Sequence, residues 1–155
     1  MLQLNKLRSL KSHGGVDRAL LSFDLKVDLT PAFHWNIKQL FVYVVASYET
    51  SDEDDDYDAD STGSTSKKSK KAKRKGNRTN QVVLWDKIVE ATDPKLMDEE
   101  NVFVKYALVD QGAALRNKKV TLQLQWDHMP ITGLLYRNEQ AIDIASTFQL
   151  PAEYQ

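Results

Sequence analysis

Hydrophobic and polar residues alternate along much of this chain, as they do in a β-strand that buries one face and exposes the other. Between residues 19 and 29 the odd positions are all apolar, whereas the even positions are mostly serine, aspartate and lysine. This stretch predicts a strand with one dry and one wet face, ended by Thr30 and Pro31. Residues 39–48 are apolar on both faces and rich in β-branched side chains, so they predict a central strand.

The same period of two recurs through the rest of the chain. It predicts strands at residues 81–89, 102–109, 120–126 and 141–148, with an additional edge strand at 2–7. Glycine, proline and asparagine mark turns between these stretches, and no segment shows the apolar stripe of an amphipathic helix. Six or seven short strands separated by turns predict an all-β fold. We expect an antiparallel β-sandwich of two sheets around one core, with a barrel as the alternative.

The alternation breaks down in a charged segment that begins at Ser51. Up to Arg78, an acidic block, a serine and threonine run and a basic block follow one another, with almost no apolar residue. Such a segment cannot bury enough surface to offset the entropy lost on ordering. We therefore predict a single domain over residues 1–155, interrupted at 51–79 by a disordered acidic and basic insertion. The fold can carry it, because loop-closure entropy grows only with the logarithm of length.

The amino-acid composition excludes several classes of protein function. The chain has 155 residues, which suits one domain, and its 21 lysines and arginines nearly balance its 22 aspartates and glutamates. This balance predicts no overall attraction to nucleic acid. The absence of cysteine excludes disulfide bonds, cysteine-bound metals and thiol catalysis. No apolar run reaches the roughly 18 residues of a membrane helix.

A search for catalytic, metal and cofactor sites finds none in the sequence. The three histidines, His13, His34 and His128, stand singly and lack the spacing of metal ligands. No serine has the flanking glycines of a nucleophile elbow. Gly14 and Gly15 are followed by no phosphate-binding motif, so we predict a flexible loop there.

Two local motifs fall in or beside the charged segment. The basic run from Lys67 to Lys75 is compatible with a nuclear or nucleic-acid-binding domain, which is the alternative function. We favour a solvated loop and expect no nucleic-acid partner, because the acidic block partly neutralises the run and no aromatic residue is interleaved with it. Asn77, Arg78 and Thr79 form an N-glycosylation sequon, which matters only if the domain faces the secretory lumen.

Two longer strings carry a family resemblance. Phe-His-Trp-Asn-Ile-Lys-Gln-Leu-Phe-Val-Tyr occupies residues 33–43, and Asn-Gln-Val-Val-Leu-Trp-Asp-Lys-Ile occupies residues 80–88. Together with Phe-Asp-Leu at 23–25 and Val-Thr-Leu-Gln-Leu-Gln-Trp at 120–126, they resemble the signal peptidase complex subunit 3 family. The resemblance covers nearly the whole chain except residues 51–79.

The resemblance implies a non-catalytic function. Members of this family are accessory subunits with one N-terminal membrane helix and a β-sandwich in the lumen of the endoplasmic reticulum. They support and stabilise the catalytic serine-protease subunit that removes signal peptides from nascent proteins. The implied partners are therefore that protease and the other subunits of the complex, with no cofactor. The membrane helix would precede Leu2, and we expect it upstream of this chain.

The two strings also supply candidate interface residues. Tryptophan is enriched at the energetic centres of protein interfaces, and the candidates are two tryptophans of these strings with polar residues close to them in sequence. We predict that these residues either contact a partner subunit or lock the two strings together. Trp126, on an alternating apolar face, is expected in the core instead. The candidates are Trp35, Lys38, Gln39, Trp85, Asp86 and Lys87.

Overall fold

A computed structural model of the chain describes residues 1–51, 77–110, 115–133 and 145–154. Within these ranges the chain forms eight β-strands and one short 3₁₀ turn, Thr30–Ala32. In chain order the strands are β1 (Leu2–His13), β2 (Val16–Asp28), β3 (Ile37–Ser51), β4 (Asn77–Glu90), β5 (Leu96–Phe103), β6 (Leu108–Asp110), β7 (Lys119–Pro130) and β8 (Ala145–Gln149).

The strands form two sheets. In the first sheet β2 is central, with β1 on one side and β5 and β6 in succession on the other. In the second sheet the strand order is β4-β3-β7-β8. Every strand pair in both sheets is antiparallel. The predicted all-β fold with two antiparallel sheets is therefore confirmed.

The core lies between the sheets and is filled by aliphatic and aromatic side chains. From β2, alternate residues point inward, and Leu21, Phe23 and Leu25 are each at most 1% exposed. From β3, Val42 and Val44 are completely buried. Each fully buried side chain of this size contributes about 1.5–3 kcal/mol through the hydrophobic effect. The one-sided strand predicted from the alternation at 19–29 is thus confirmed.

The strand predicted at residues 102–109 is wrong, because the structure divides it in two. The strand β5 ends at Phe103, and β6 begins at Leu108. Between them the chain leaves the first sheet, and the N–H of Tyr106 donates to the carbonyl of Leu84 in β4 (3.0 Å). The break lets this segment cover part of the outer edge of the second sheet. Apolar residues keep alternating through it, so the sequence pattern gave no sign of the interruption.

The loop predicted at Gly14 and Gly15 is a tight hairpin turn. His13 at the end of β1 pairs directly with Val16 at the start of β2. Gly14 and Gly15 have positive φ values of 60° and 79°. Two successive residues in this conformation are typical of the two-residue turn that matches the twist of antiparallel strands, and glycine adopts it without steric cost.

The strands β3 and β4 extend further than predicted and form one long hairpin. Ser51 at the end of β3 pairs with Asn77 at the start of β4. Both residues fall inside the predicted insertion, and residues 52–76 lie outside the described part of the chain. The last predicted strand, 141–148, corresponds to Ala145–Gln149, and its first four residues are likewise outside the described ranges.

Carboxylates and tyrosines form a polar network at the end of the sandwich where β2 begins. Asp17 is fully buried, and its two oxygens accept hydrogen bonds from the N–H of Leu115 (3.2 Å) and the hydroxyl of Tyr154 (2.9 Å). Asp110 lies opposite Asp17 in the β2–β6 pair and accepts a hydrogen bond from the hydroxyl of Tyr48 (2.9 Å). These bonds satisfy polar groups that would be costly to bury unpaired.

We expect the Tyr48 hydroxyl to make stability depend on pH in the alkaline range. Burial raises the pKa of Tyr48, and so do the hydrogen bond to Asp110 and the negative charge of that carboxylate. Above pH of about 10 the unfolded chain therefore loses the tyrosine proton while the folded chain keeps it, so the free energy of unfolding falls. At neutral pH, Tyr48→Phe should cost about 1 kcal/mol for the lost hydrogen bond.

Urea unfolding of both proteins from neutral pH to about pH 11 tests this expectation. The stability advantage of the wild-type chain over Tyr48→Phe should shrink as the pH rises above the ordinary tyrosine pKa. A difference that stays constant across this range would contradict the raised pKa. Loss of folding by Tyr48→Phe at neutral pH would instead contradict the modest size of the hydrogen-bond contribution.

Candidate docking surfaces

Three turns close one end of the sandwich: residues 29–36 lead into β3, 91–95 follow β4, and 131–133 follow β7. Backbone hydrogen bonds join these turns to one another and to β3, namely Leu29 N–H to Lys95 O (2.9 Å), Ala91 N–H to Lys38 O (3.0 Å) and Ile131 N–H to Asn36 O (2.8 Å). The turns therefore form one connected surface. We call the first and third of them, residues 29–36 and 131–133, the Trp35 tip.

The Trp35 tip carries the most exposed tryptophan of the chain. The Trp35 side chain is 89% exposed, and Ile131 on the neighbouring turn is 67% exposed. The imidazole rings of His34 and His128 stack beside them with centroids 6.4 Å apart. Lys38 is exposed at the start of β3. Trp35 and Lys38 are thus the two predicted interface residues that this end of the domain presents to solvent.

The other two tryptophans lie in the core. Trp85 is 5% exposed and meets Phe23 edge to face, with ring centroids 6.1 Å apart and an interplanar angle of 83°. Because Phe23 belongs to β2 and Trp85 to β4, this contact joins the two sheets. Trp126 is also 5% exposed, which confirms the prediction that it is a core residue.

Gln39, Asp86 and Lys87 make contacts within the chain. The Gln39 amide nitrogen lies 2.9 Å from the Met129 sulfur in the neighbouring strand β7. The ammonium group of Lys105 bonds the backbone carbonyl of Asp86 (2.6 Å) and lies 3.4 Å from its carboxylate. Lys87 forms an ion pair with Glu99 of β5 (2.8 Å). The last two contacts tie the edge of the second sheet to the first sheet and to the segment after β5.

The two family strings lie side by side, because β3 and β4 are neighbours. The predicted candidates therefore do not form one surface. Four of them contact residues outside both strings, whereas Trp35 and Lys38 are open to a partner, so the predicted role of these residues in an interface or between the strings stays a prediction. The paired residues of the two strings include Val42 with Lys87, Tyr43 with Asp86 and Val44 with Trp85.

A second exposed apolar surface was missed at the level of the sequence. On the outer face of the second sheet, the rings of Phe41 and Tyr43 lie 5.3 Å apart, and Ile88, opposite Phe41, is 51% exposed. Further along, Val83 pairs with Val45, which is buried yet lies outside the core cluster. We call these five residues the outer strip. The sequence indicates this surface through the apolar residues on both faces of 39–48. We interpreted those residues only as evidence for a central strand.

Shifted pKa values belong to structural contacts and not to a reactive centre. The hydrogen bond and the charge of Asp98 (2.5 Å) raise the pKa of Lys26. Hydrogen bonds from the side chain and backbone of Thr30 lower the pKa of Asp28. Among the described residues, no three histidine, aspartate or glutamate side chains come together as a metal site. In the same ranges, no helix has the length and apolar character needed to span a membrane.

The two motifs beside the charged segment are only partly described. Asn77 of the glycosylation sequon is the first residue of β4, at the end of the sandwich opposite the Trp35 tip. The basic run from Lys67 to Lys75 lies outside the described residues. The predicted role of each therefore remains a prediction.

Comparison with known proteins gives consistent matches along the chain. The family model described as a signal peptidase subunit matches residues 1–57 and 70–153. Over 120 residues the chain is 42% identical to signal peptidase complex subunit 3 of Caenorhabditis elegans, which covers 77% of this chain and 53% of that protein. Over 139 residues it is 36% identical to signal peptidase complex subunit 3 of Drosophila melanogaster, which covers 89% of this chain and 63% of that protein.

A more distant relative extends the match further. Signal peptidase complex subunit 3 of Dictyostelium discoideum is 28% identical over 153 residues, which covers 99% of this chain and 74% of that protein. The chain spans little more than half the length of the nematode relative and under two thirds of the fly relative. The matched region includes the strands of both sheets and both of the strings that carried the resemblance.

Proposed function

This chain belongs to the signal peptidase subunit family, and from that membership we propose that it acts as a non-catalytic accessory subunit of the signal peptidase complex. The observation that carries the proposal is the extent of the family match, which includes residues 1–57 and 70–153. The sandwich contributes surfaces for assembly, and bond cleavage belongs to another subunit. The chain spans only part of the length of these relatives. The activity and the partners of the whole protein are therefore proposed here by analogy with the family.

We further propose that the chain supports removal of signal peptides from nascent proteins that enter the endoplasmic reticulum. In this proposal the sandwich docks to the catalytic serine-protease subunit and stabilises it in a productive geometry, so its effect is preorganisation. The domain faces the lumen, and a single membrane helix N-terminal to Leu2 anchors it. The full-length transcript tests the anchor, because it should encode about 20 consecutive apolar residues before Leu2.

The outer strip is the surface that best supports docking to another subunit. It lies on the outer face of a sheet and combines two aromatic rings with the exposed aliphatic side chains of Ile88 and Val83. Aromatic residues in the centre of such a patch contribute much of the binding energy of protein interfaces. Asp86 of the edge strand β4, opposite Tyr43, and its ion-pair partner Lys105 from the segment between β5 and β6 supply charged groups for the rim of the interface.

Depletion of the chain from cells tests the proposed function directly. Membranes isolated without it should cleave a preprotein more slowly, and adding back the intact protein should restore the rate. The protease subunit should also be less abundant or less stable in the depleted membranes. Full cleavage activity in the absence of this chain would contradict the proposal.

We expect Ile88→Asp to disrupt docking without disrupting the fold. The Ile88 side chain is half exposed on an edge strand, so aspartate is tolerated in the free domain but places an unpaired charge in a buried interface. Recovery of the protease subunit with the variant should fall at least about tenfold, which corresponds to about 1.4 kcal/mol.

Val109→Asp is the matched control for this experiment. Val109 is 41% exposed on β6, in the first sheet, and is not part of the outer strip. The control should recover the protease subunit as well as the wild-type chain does. Circular dichroism of both variants checks that the β-sandwich is retained. Equal recovery with Ile88→Asp and Val109→Asp would exclude the outer strip as the docking surface.

A further inference from the structure

The Trp35 tip exposes two large apolar side chains on neighbouring turns. Trp35 is 89% exposed and Ile131 is 67% exposed, and the hydrogen bond from Ile131 N–H to the Asn36 carbonyl (2.8 Å) holds their turns together. A single exposed apolar residue needs no explanation, but two presented together at the end of a domain indicate a binding surface. The other two tryptophans, Trp85 and Trp126, are buried, so Trp35 alone among the three tryptophans is exposed to solvent.

The tip is fixed in shape by further hydrogen bonds. Ile37 N–H donates to the carbonyl of His34 (2.9 Å), and Gly133 N–H donates to the carbonyl of Pro130 (3.1 Å). Gly133 has a positive φ of 77°, which suits the tight turn after β7. Both apolar side chains are therefore displayed by closed turns at the end of paired strands. Binding through them requires little ordering of the backbone, which lowers its entropic cost.

The Trp35 tip and the strand residues next to it lack carboxylates. Residues 29–38 and 128–133 contain no carboxylate, although the chain has 22 aspartates and glutamates. The titratable residues in these two stretches are His34, Lys38 and His128. Asp28, just before the first stretch, accepts a hydrogen bond from the N–H of Thr30 (2.9 Å). These two stretches are therefore neutral to basic, whereas the connected turn 91–95 carries one acidic and one basic residue, Asp93 and Lys95.

We propose that the Trp35 tip lies in the headgroup region of a lipid bilayer. Tryptophan has an apolar ring and a polar N–H and is enriched at the membrane interface, and isoleucine gains free energy by entering the acyl boundary. The absence of carboxylates avoids repulsion by anionic headgroups. Two side chains at one end of the sandwich fall far short of a stable protein interface of about 1,000 Å², whereas binding to a membrane surface scales with whatever apolar area enters it.

This inference goes beyond the proposed function, because it assigns an orientation to the domain and does not depend on a role in cleavage. The strand β1 begins at the same end as the tip, and the carbonyl of Met1 accepts a hydrogen bond from Lys26 N–H (2.7 Å). At the opposite end of β3, Ser51 lies roughly 45 Å from Ile37 at the usual rise per residue. The long axis of the sandwich therefore stands away from the bilayer, with the β3–β4 hairpin pointing into the aqueous phase.

Tryptophan fluorescence tests this orientation, because Trp35 is exposed while Trp85 and Trp126 are each 5% exposed. The chain is held on vesicles of phosphatidylcholine and phosphatidylserine through a histidine tag before Met1 and a nickel-chelating lipid. The tether supplies a high local concentration, so weak insertion is still detected. We expect the emission maximum to move to shorter wavelength and brominated lipids to quench it.

Variants identify the residue that responds. Trp35→Phe should abolish both the spectral shift and the quenching, because the remaining tryptophans are buried. Without the tether, Trp35→Ala should lower binding to the same vesicles about tenfold. Phe103→Ala is the control, since Phe103 is 59% exposed on the outer face of the first sheet, and it should leave the shift unchanged.

Two results would overturn the proposal. One is an emission spectrum of the tethered wild-type chain that is identical with and without lipid. The other is a Trp35 shift that requires the remaining subunits in detergent and does not occur on vesicles, which would assign the tip to a protein partner. Neither result would affect the cleavage experiment, so failure of the lipid contact and failure of the accessory function are distinguishable.

Discussion

Trp85→Ala should destabilise the domain by about 3–5 kcal/mol, the range observed when a large aromatic side chain is removed from a core. The Trp85 ring is buried and packs edge to face on Phe23, so the substitution leaves a cavity between the sheets and removes an aromatic contact. Such a loss is a large part of the total stability of a domain of this size. Urea unfolding followed by far-ultraviolet circular dichroism measures the change.

Trp35→Ala is the matched control, because it makes the same chemical change at a side chain that is 89% exposed. We expect its free energy of unfolding to differ from wild type by less than about 0.5 kcal/mol. If Trp85→Ala does not fold, Trp85→Phe preserves part of the contact with Phe23 and should give an intermediate, measurable loss. Equal stability of Trp35→Ala and Trp85→Ala would contradict the packing between β2 and β4.

Asp17→Ala should cost about 2–4 kcal/mol, because it removes a buried carboxylate that accepts two hydrogen bonds. Asp17 is completely buried and accepts from the N–H of Leu115 and the hydroxyl of Tyr154. The alanine variant leaves the Leu115 N–H without its acceptor in a buried site, whereas Tyr154, which is 40% exposed, can bond water instead. Leu115 precedes β7, and Tyr154 follows β8, so this one carboxylate holds two separate parts of the chain against β2.

A double-mutant cycle separates the two hydrogen bonds of Asp17. Tyr154→Phe removes only the hydroxyl and should cost about 1 kcal/mol. The double variant with Asp17→Ala should be less destabilised than the sum of the single variants, because the tyrosine bond is lost only once. Asp17→Asn keeps an acceptor of similar shape and should fall between wild type and Asp17→Ala. Strictly additive effects would contradict a direct bond between Asp17 and Tyr154.

Alternation at 19–29, and apolar β-branched residues on both faces at 39–48, made the central strands predictable from the sequence. The odd positions of 19–29 enter the core as expected, and 39–48 lies in the middle of its sheet. These strands are regular and are paired on both sides, so burial follows the period of two. The resemblance in the two strings also anticipated the family, and the pairing of β3 with β4 explains why strings far apart in sequence belong to one structural unit.

Bulges explain why the full length of β1 was not predicted from the sequence. In β1 the pairing with β2 shifts between Leu4 and Lys6 and again between Leu7 and Ser9. Each shift inserts an extra residue, so inward-facing leucines are three apart and no longer two apart. Apolar and polar residues therefore no longer alternate regularly after residue 7, and the predicted edge strand ends there. In the structure β1 continues to His13.

A bulge in β4 changes which of its residues face the core. The sequence places Val83, Trp85 and Val89 on one face of an ideal strand. The pairing shifts between Val44 and Val45, so that Leu84 and Trp85 are both buried while Val83 is 39% exposed. The burial of Trp85 and the composition of the outer strip depend on this shift. Local sequence does not encode it, because the extra residue is set by pairing with β3.

The bulged strand β1 has a consequence for how the molecule behaves at high concentration. Among the described strands it lies at one edge of the first sheet, and an edge strand can recruit a strand from another copy. Its two irregularities interrupt the even spacing that such a strand would need, and Lys6, Arg8 and Lys11 place repelling positive charges along the same border. The geometry that obscured this strand in the sequence thus also protects the domain against aggregation.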